Sequence, residues 1–197
     1  MGAAAPHLAR PPGGGRSDRL GARLTRFGLH PCRKGGAKTG ANPTDKGKAG
    51  SKRHVVSDRG GIPLAVVLTA ANVHDSKVLE EAVDSIEPIE RPRGRPGRPR
   101  KRPKKLHADK AYDFPRCREA LRSRAAKQGH NPTHRPPWDR LEREVGAPQR
   151  WVVERTLAWL AKYRRLTIRY ERRDDIHEAF LHPGCSLICL NYLSGGF

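Results

Sequence analysis

The stretch KRHVVSDRGGIPLAVVLTAAN, Lys52 to Asn72, decides the fold. Arg59-Gly60-Gly61 is a turn signal between two runs rich in β-branched and apolar residues. Lys52–Asp58 and Ile62–Asn72 therefore read as the arms of a β-hairpin. The second arm is nearly continuous in apolar residues, as a central strand covered on both faces requires. Downstream, Asp75 or Ser76 can cap a helix whose Val78, Leu79, Ala82, Val83 and Ile86 share one face, and Pro88 ends it. Leu106–Ala108 reads as a short strand running into Asp109, and Phe114–Ala126 as an amphipathic helix with Pro115 in its first turn. A helix from Gln149 to about Arg165, a β-like run Leu166–Tyr170 and a helical pattern Asp174–Leu193 complete the order. Pro183-Gly184 should kink or split the last of these. Strands alternating with helices make this an α/β chain.

The 197 residues leave room for one ordinary domain. Lys and Arg outnumber Asp and Glu by 40 to 20, a formal net charge of +20. Such a balance attracts phosphate backbones but does not separate an enzyme from a binding module. No apolar run reaches the ~18–20 residues needed to cross a bilayer. The first residues lack the apolar core of a signal peptide, so neither a membrane span nor export is expected. Cys185 and Cys189 stand four apart, and without a paired CxxC or HxxxH they read as small hydrophobes rather than a zinc site with His182. A reduced, cytoplasmic setting follows from that usage.

Residues 1 to about 50 are rich in Gly, Ala, Pro and Arg without periodicity, so order is expected to begin near Lys52. Arg91–Lys105 is too charged and proline-rich to pack. Its Arg95, Arg98 and Arg100 sit in a basic disordered loop, which adds sequence-independent attraction to phosphates. Residues 127–147 read as a further loop, broken by Pro132, Pro136 and Pro137.

Two acids stand out by position. Asp109 follows a strand, where open α/β sheets place ligands, and Glu154 lies alone on a basic, apolar helix. Carboxylates so placed can hold divalent ions through hard oxygen ligands. By spacing alone Asp109 can equally be a strand-to-helix cap, and Glu154 an ion-pair partner of Arg150 four residues before it. Arg150 and Arg165 return close to the Glu154 face of the helix, suited either to gripping phosphates or to a solvated basic surface. His54, His74 and His107 read as packing or hydrogen-bonding residues, and Trp151 and Trp159 as core anchors.

Three blocks carry a resemblance: GGAKTGANPTDKGKAGSKRHVVSDRGGIPLAVVLTAANVHDS, LHADKAYD and RWVVERTLAWLAKYRRLTIRYERR. In this order they resemble bacterial insertion-sequence transposases of the DDE type, from about Gly35 to Leu193. The resemblance implies a ribonuclease H-like mixed sheet flanked by helices, with three acids binding two Mg2+ or Mn2+ ions. It implies cleavage at the ends of a mobile element and strand transfer into double-stranded DNA, by a homo-oligomer acting at the bacterial nucleoid. Asp109 matches the second acid and Glu154 the third, both catalytic and metal-binding. Arg150, Arg155, Lys162, Arg164 and Arg165, with Arg95, Arg98 and Arg100 of the loop, are the expected DNA contacts.

Family members carry the first acid on an opening strand shortly before the KGG stretch. Here that region reads TRFGLHPCRKGGAKTG, Thr25–Gly40, and no Asp or Glu occurs from Leu20 through Asn42. Residues 1–34 are therefore expected to be disordered or out of register, and residues 35–197 to form a domain lacking its first strand. That loss would expose a sheet edge, and a two-ion site without one ligand would not work. The alternative is a non-enzymatic basic DNA-binding protein, which differs in showing no Mg2+-dependent cleavage.

Overall fold

Val55 and Val56 are neighbours on one strand yet belong to different cores, because successive strand residues face opposite sides of a sheet. The same holds for Val67 and Leu68 on the next strand. The sheet is thus covered on both faces. The computed structural model describes residues 21–88, 105–108, 110–112, 114–126 and 147–195.

Five strands form the sheet: β1 (Gly21–Pro31), β2 (Gly40–Ala41), β3 (Ala49–Ser57), β4 (Pro63–Ala70) and β5 (Lys105–Ala108). β3 pairs antiparallel with β1 along one edge and with β4 and the short β2 along the other. β5 pairs parallel with the first residues of β1, Leu24 opposite Ala108, so the sheet is mixed. On one face, α1 (Leu79–Asp84) and α2 (Pro115–Ala126) pack Leu79, Ala82, Val83, Cys117 and Leu121 onto Val56, Val67 and Leu106. On the other, α3 (Ala147–Ala161), α4 (Arg164–Thr167) and α5 (Asp174–Leu193) bring Trp159, Leu160, Leu166, Leu181 and Ile188 against Val55 and Leu68. A mixed sheet between two helical layers is the ribonuclease H-like architecture expected, and the predicted hairpin, Leu106–Ala108 strand and flanking helices are all present.

The expectation of a missing first strand is corrected. Gly21–Pro31 is a strand, and it lies inside the sheet between β3 and β5 rather than leaving an edge exposed. Order therefore begins well before Lys52, and residues 21–31 belong to the folded sheet; residues 1–20 lie outside the described residues. In GARLTRFGLHP the apolar alternation is broken into two short pieces, Ala22 and Leu24, then Phe27 and Leu29, with the register shifting between Arg26 and Leu29, so no continuous period announces the strand. Its ladders to β3 and β5 supply the hydrogen bonds that composition does not predict.

Three local expectations also change. His74, not Asp75 or Ser76, caps the turn before α1, its side chain accepting from the Ser76 backbone N–H; Asp75 instead pairs with Lys52. The Gln149–Arg165 helix stops at Ala161, and Leu166 and Thr167 fall in α4, so Leu166–Tyr170 contributes only one bridge, Arg169 to Cys32. Finally, α5 runs unsplit through Pro183. Leu181 and Ile188 bury the helix on either side of the proline, and Gly184 admits Leu166 so closely that a Cβ there would lie 2.8 Å from its methyl. Packing outweighs the local cost of the Pro-Gly pair.

Among the described residues no helix is long and apolar enough to cross a membrane. All four cysteines are free, Cys185 and Cys189 half-buried, and burial pushes the Cys185 thiol up to about 11. No group of three metal-ligating side chains, the one with His182 included, comes together among the described residues. His54 and His107 are buried as expected; burial and then Arg53 push His30 down to about 3, leaving it neutral beside the Thr167 carbonyl.

Candidate functional site

Asp109 itself and Asp113 lie outside the described residues, but the segments that hold Asp109 are clear. Before it, β5 ends at Ala108, in register with Leu24 of β1. After it, Lys110–Tyr112 forms a 3-10 turn whose Tyr112 is fully buried. The Tyr112 hydroxyl lies 2.8 Å from Nδ1 of His54, and Nε2 of that ring lies 3.0 Å from Oγ1 of Thr69. A buried relay across β3 and β4 thus anchors the turn, and a satisfied polar chain of this kind fixes one arrangement. His54 was read from the sequence as a packing or hydrogen-bonding residue, whereas Tyr112 was not singled out.

Glu154 is an exposed residue at the middle of α3. Its helix is pinned by the next two residues. The Arg155 guanidinium donates to the Gly60 carbonyl and lies 4.8 Å from the Trp159 ring centroid. The Thr156 hydroxyl donates to the Gly61 carbonyl at 2.6 Å. Gly61 has φ +82°, and a Cβ there would meet Thr156 Oγ1 at 2.9 Å, so the β3–β4 turn needs glycine to receive α3 this closely.

These contacts bring the two acid-bearing segments to one place. The turn touched by α3 follows Ser57, which pairs with Arg23, while Ala108 pairs with Leu24. Both segments therefore flank residues 23–26 of β1. That stretch reads Arg23, Leu24, Thr25, Arg26 and offers no carboxylate. A site for two divalent ions needs bridging and terminal oxygen ligands, and a strand without a carboxylate supplies no third acid to it.

The expected DNA contacts separate into groups. Lys162 and Arg164 are exposed. Arg165 is also exposed but lies 5.1 Å over the Phe180 ring and 3.7 Å from Glu171, and Arg155 is held by the hairpin turn. Both arginines have structural engagements that spacing could not reveal. Arg150 belongs to α3, with nothing described of its side chain, and Arg95, Arg98 and Arg100 lie outside the described residues.

Comparison with known proteins bears on this arrangement. No solved structure matches. The chain is 45% identical over 196 residues, 98% of its length and 88% of the relative's, to the protein assigned as the transposase for insertion sequence element IS402 of Burkholderia cepacia. The family model described as transposase DDE domain matches residues 19–189, which include β1. With the mixed sheet and both acid-bearing segments in order, the chain belongs to the transposase DDE domain family.

Proposed function

We propose that this chain binds double-stranded DNA as a transposase and does not by itself carry out the metal-dependent cleavage and strand transfer of an intact relative. The observation that carries the reading is β1, a strand in the middle of the sheet that sets Gly21, Ala22, Arg23 and Leu24, and no acid, in register with β5. DDE enzymes use Mg2+ or Mn2+, and Asp109 and Glu154 are the two ligands this chain retains by sequence. The +20 charge supplies attraction for the DNA backbone. Arg150, Lys162 and Arg164 on and beside the Glu154 helix, with the basic loop, are the proposed contacts. Assembly into homo-oligomers is proposed for complexes on element ends.

A strand-transfer assay tests this on duplexes carrying matching terminal repeats, with Mg2+ or Mn2+. Binding without cleaved or joined product is expected. Robust product formation abolished by Asp109→Asn would overturn the reading.

A further inference from the structure

The KGG turn and the segment after α4 form a basic rim where β1 leaves the sheet. Cys32 and Arg169 make a parallel bridge, and the Arg33 N–H donates to the Arg169 carbonyl at 3.0 Å. Gly36, at φ +117°, lies so close to Arg172 that a Cβ would fall 2.0 Å from its carbonyl oxygen. Only glycine allows the two backbones to meet this way. The fully buried Arg169 fastens both sides: its guanidinium donates to Lys38 O at 3.3 Å, Ser51 Oγ at 2.8 Å, Glu171 O at 2.9 Å and Arg172 O at 3.2 Å.

The charges on this rim are unequally matched. Asp174 and Glu178 are taken by Lys38, Asp175 by Arg173, and Glu171 by His177 and Arg165. Arg33, Lys34, Arg164 and Arg172 are exposed, and none has a carboxylate partner among the described residues. They extend from a backbone held by a buried arginine, so less is lost in ordering them on a ligand. The rim is also remote from the acids: it follows Pro31, whereas the acid-bearing segments flank residues 23–26 at the other half of β1.

We propose that this rim, with Arg33, Lys34 and Arg172 at its centre, is a second docking surface for the phosphate backbone of duplex DNA. It would hold the duplex at the end of the sheet opposite the acid-bearing segments. Arginine and lysine presented together, with guanidinium forks suited to phosphate oxygens, fit a polyphosphate track. The inference rests on the DNA-binding reading above and adds where the duplex lies.

The test is the salt dependence of binding to a short labelled duplex, measured by fluorescence anisotropy for the full chain. Each phosphate contact contributes about 0.9 to the slope of log affinity against log salt. The triple variant Arg33→Gln, Lys34→Gln, Arg172→Gln should make that slope shallower by about 2–3 while its melting temperature stays that of the parent. The control Lys77→Gln, Arg122→Gln, at exposed residues just before α1 and on α2, on the sheet face opposite α4 and α5, should change it by less than about 1. Equal change per charge in both variants would overturn the rim and leave DNA binding standing. A parent chain that does not bind duplex at any salt would overturn both.

Discussion

Arg169→Met is expected to lower the free energy of unfolding by about 3–5 kcal/mol, since bonds from a charged donor contribute ~1.5–3 kcal/mol each and do not add fully. The side chain is fully buried, and four acceptors converge on it: Ser51 Oγ and the carbonyls of Lys38, Glu171 and Arg172. Methionine fills much of the same volume, so the loss would report lost donors rather than a cavity. Arg169→Lys should recover only part, because an ammonium cannot span acceptors set around a planar fork. Urea denaturation checks this, with exposed Arg172→Met as the reference, expected within about 0.5 kcal/mol of the parent. An Arg169→Met chain as stable as that reference would mean the staple is incidental.

Asp75→Ala should be comparably costly. Lys52 lies on β3 with its side chain 7% exposed, and its Nζ sits 2.8 Å from Asp75 Oδ1 and 2.8 Å from the Val73 carbonyl. Removing the carboxylate strands a buried ammonium, which typically costs ~3–5 kcal/mol. Asp75→Asn, which keeps an acceptor, should be milder, and the pair Lys52→Met, Asp75→Leu should restore much of the loss because no charge is left buried. Thermal or urea unfolding of the three variants separates these cases. A single Asp75→Ala change costing under about 1 kcal/mol would show that water reaches Lys52.

What the sequence disclosed, and what it hid, divides along physical lines. Where burial writes a period, the sequence was readable: Val78, Leu79, Ala82, Val83 and Ile86 all proved buried, and both hairpin arms fell where the apolar runs place them. β1 was invisible because a central strand can be stabilised by its two ladders, and GARLTRFGLHP carries arginine, glycine and proline where apolar residues would be expected. The Arg169 staple joins residues 131 apart at Lys38, a separation no local pattern encodes. His74 took the capping role because Asp75 was drawn to Lys52. Asp109 and Glu154 were singled out through ordered blocks rather than spacing. No Asp or Glu occurs from Leu20 through Asn42, and β1 falls within that stretch.

Whether this transposase sheet holds a complete two-ion site is decided by titrating Mn2+ into the folded chain and counting bound ions calorimetrically. No tight pair of ions is expected, only weak binding that Asp109→Asn or Glu154→Gln diminishes. Two tightly held ions per chain, both lost on Asp109→Asn, would contradict this expectation.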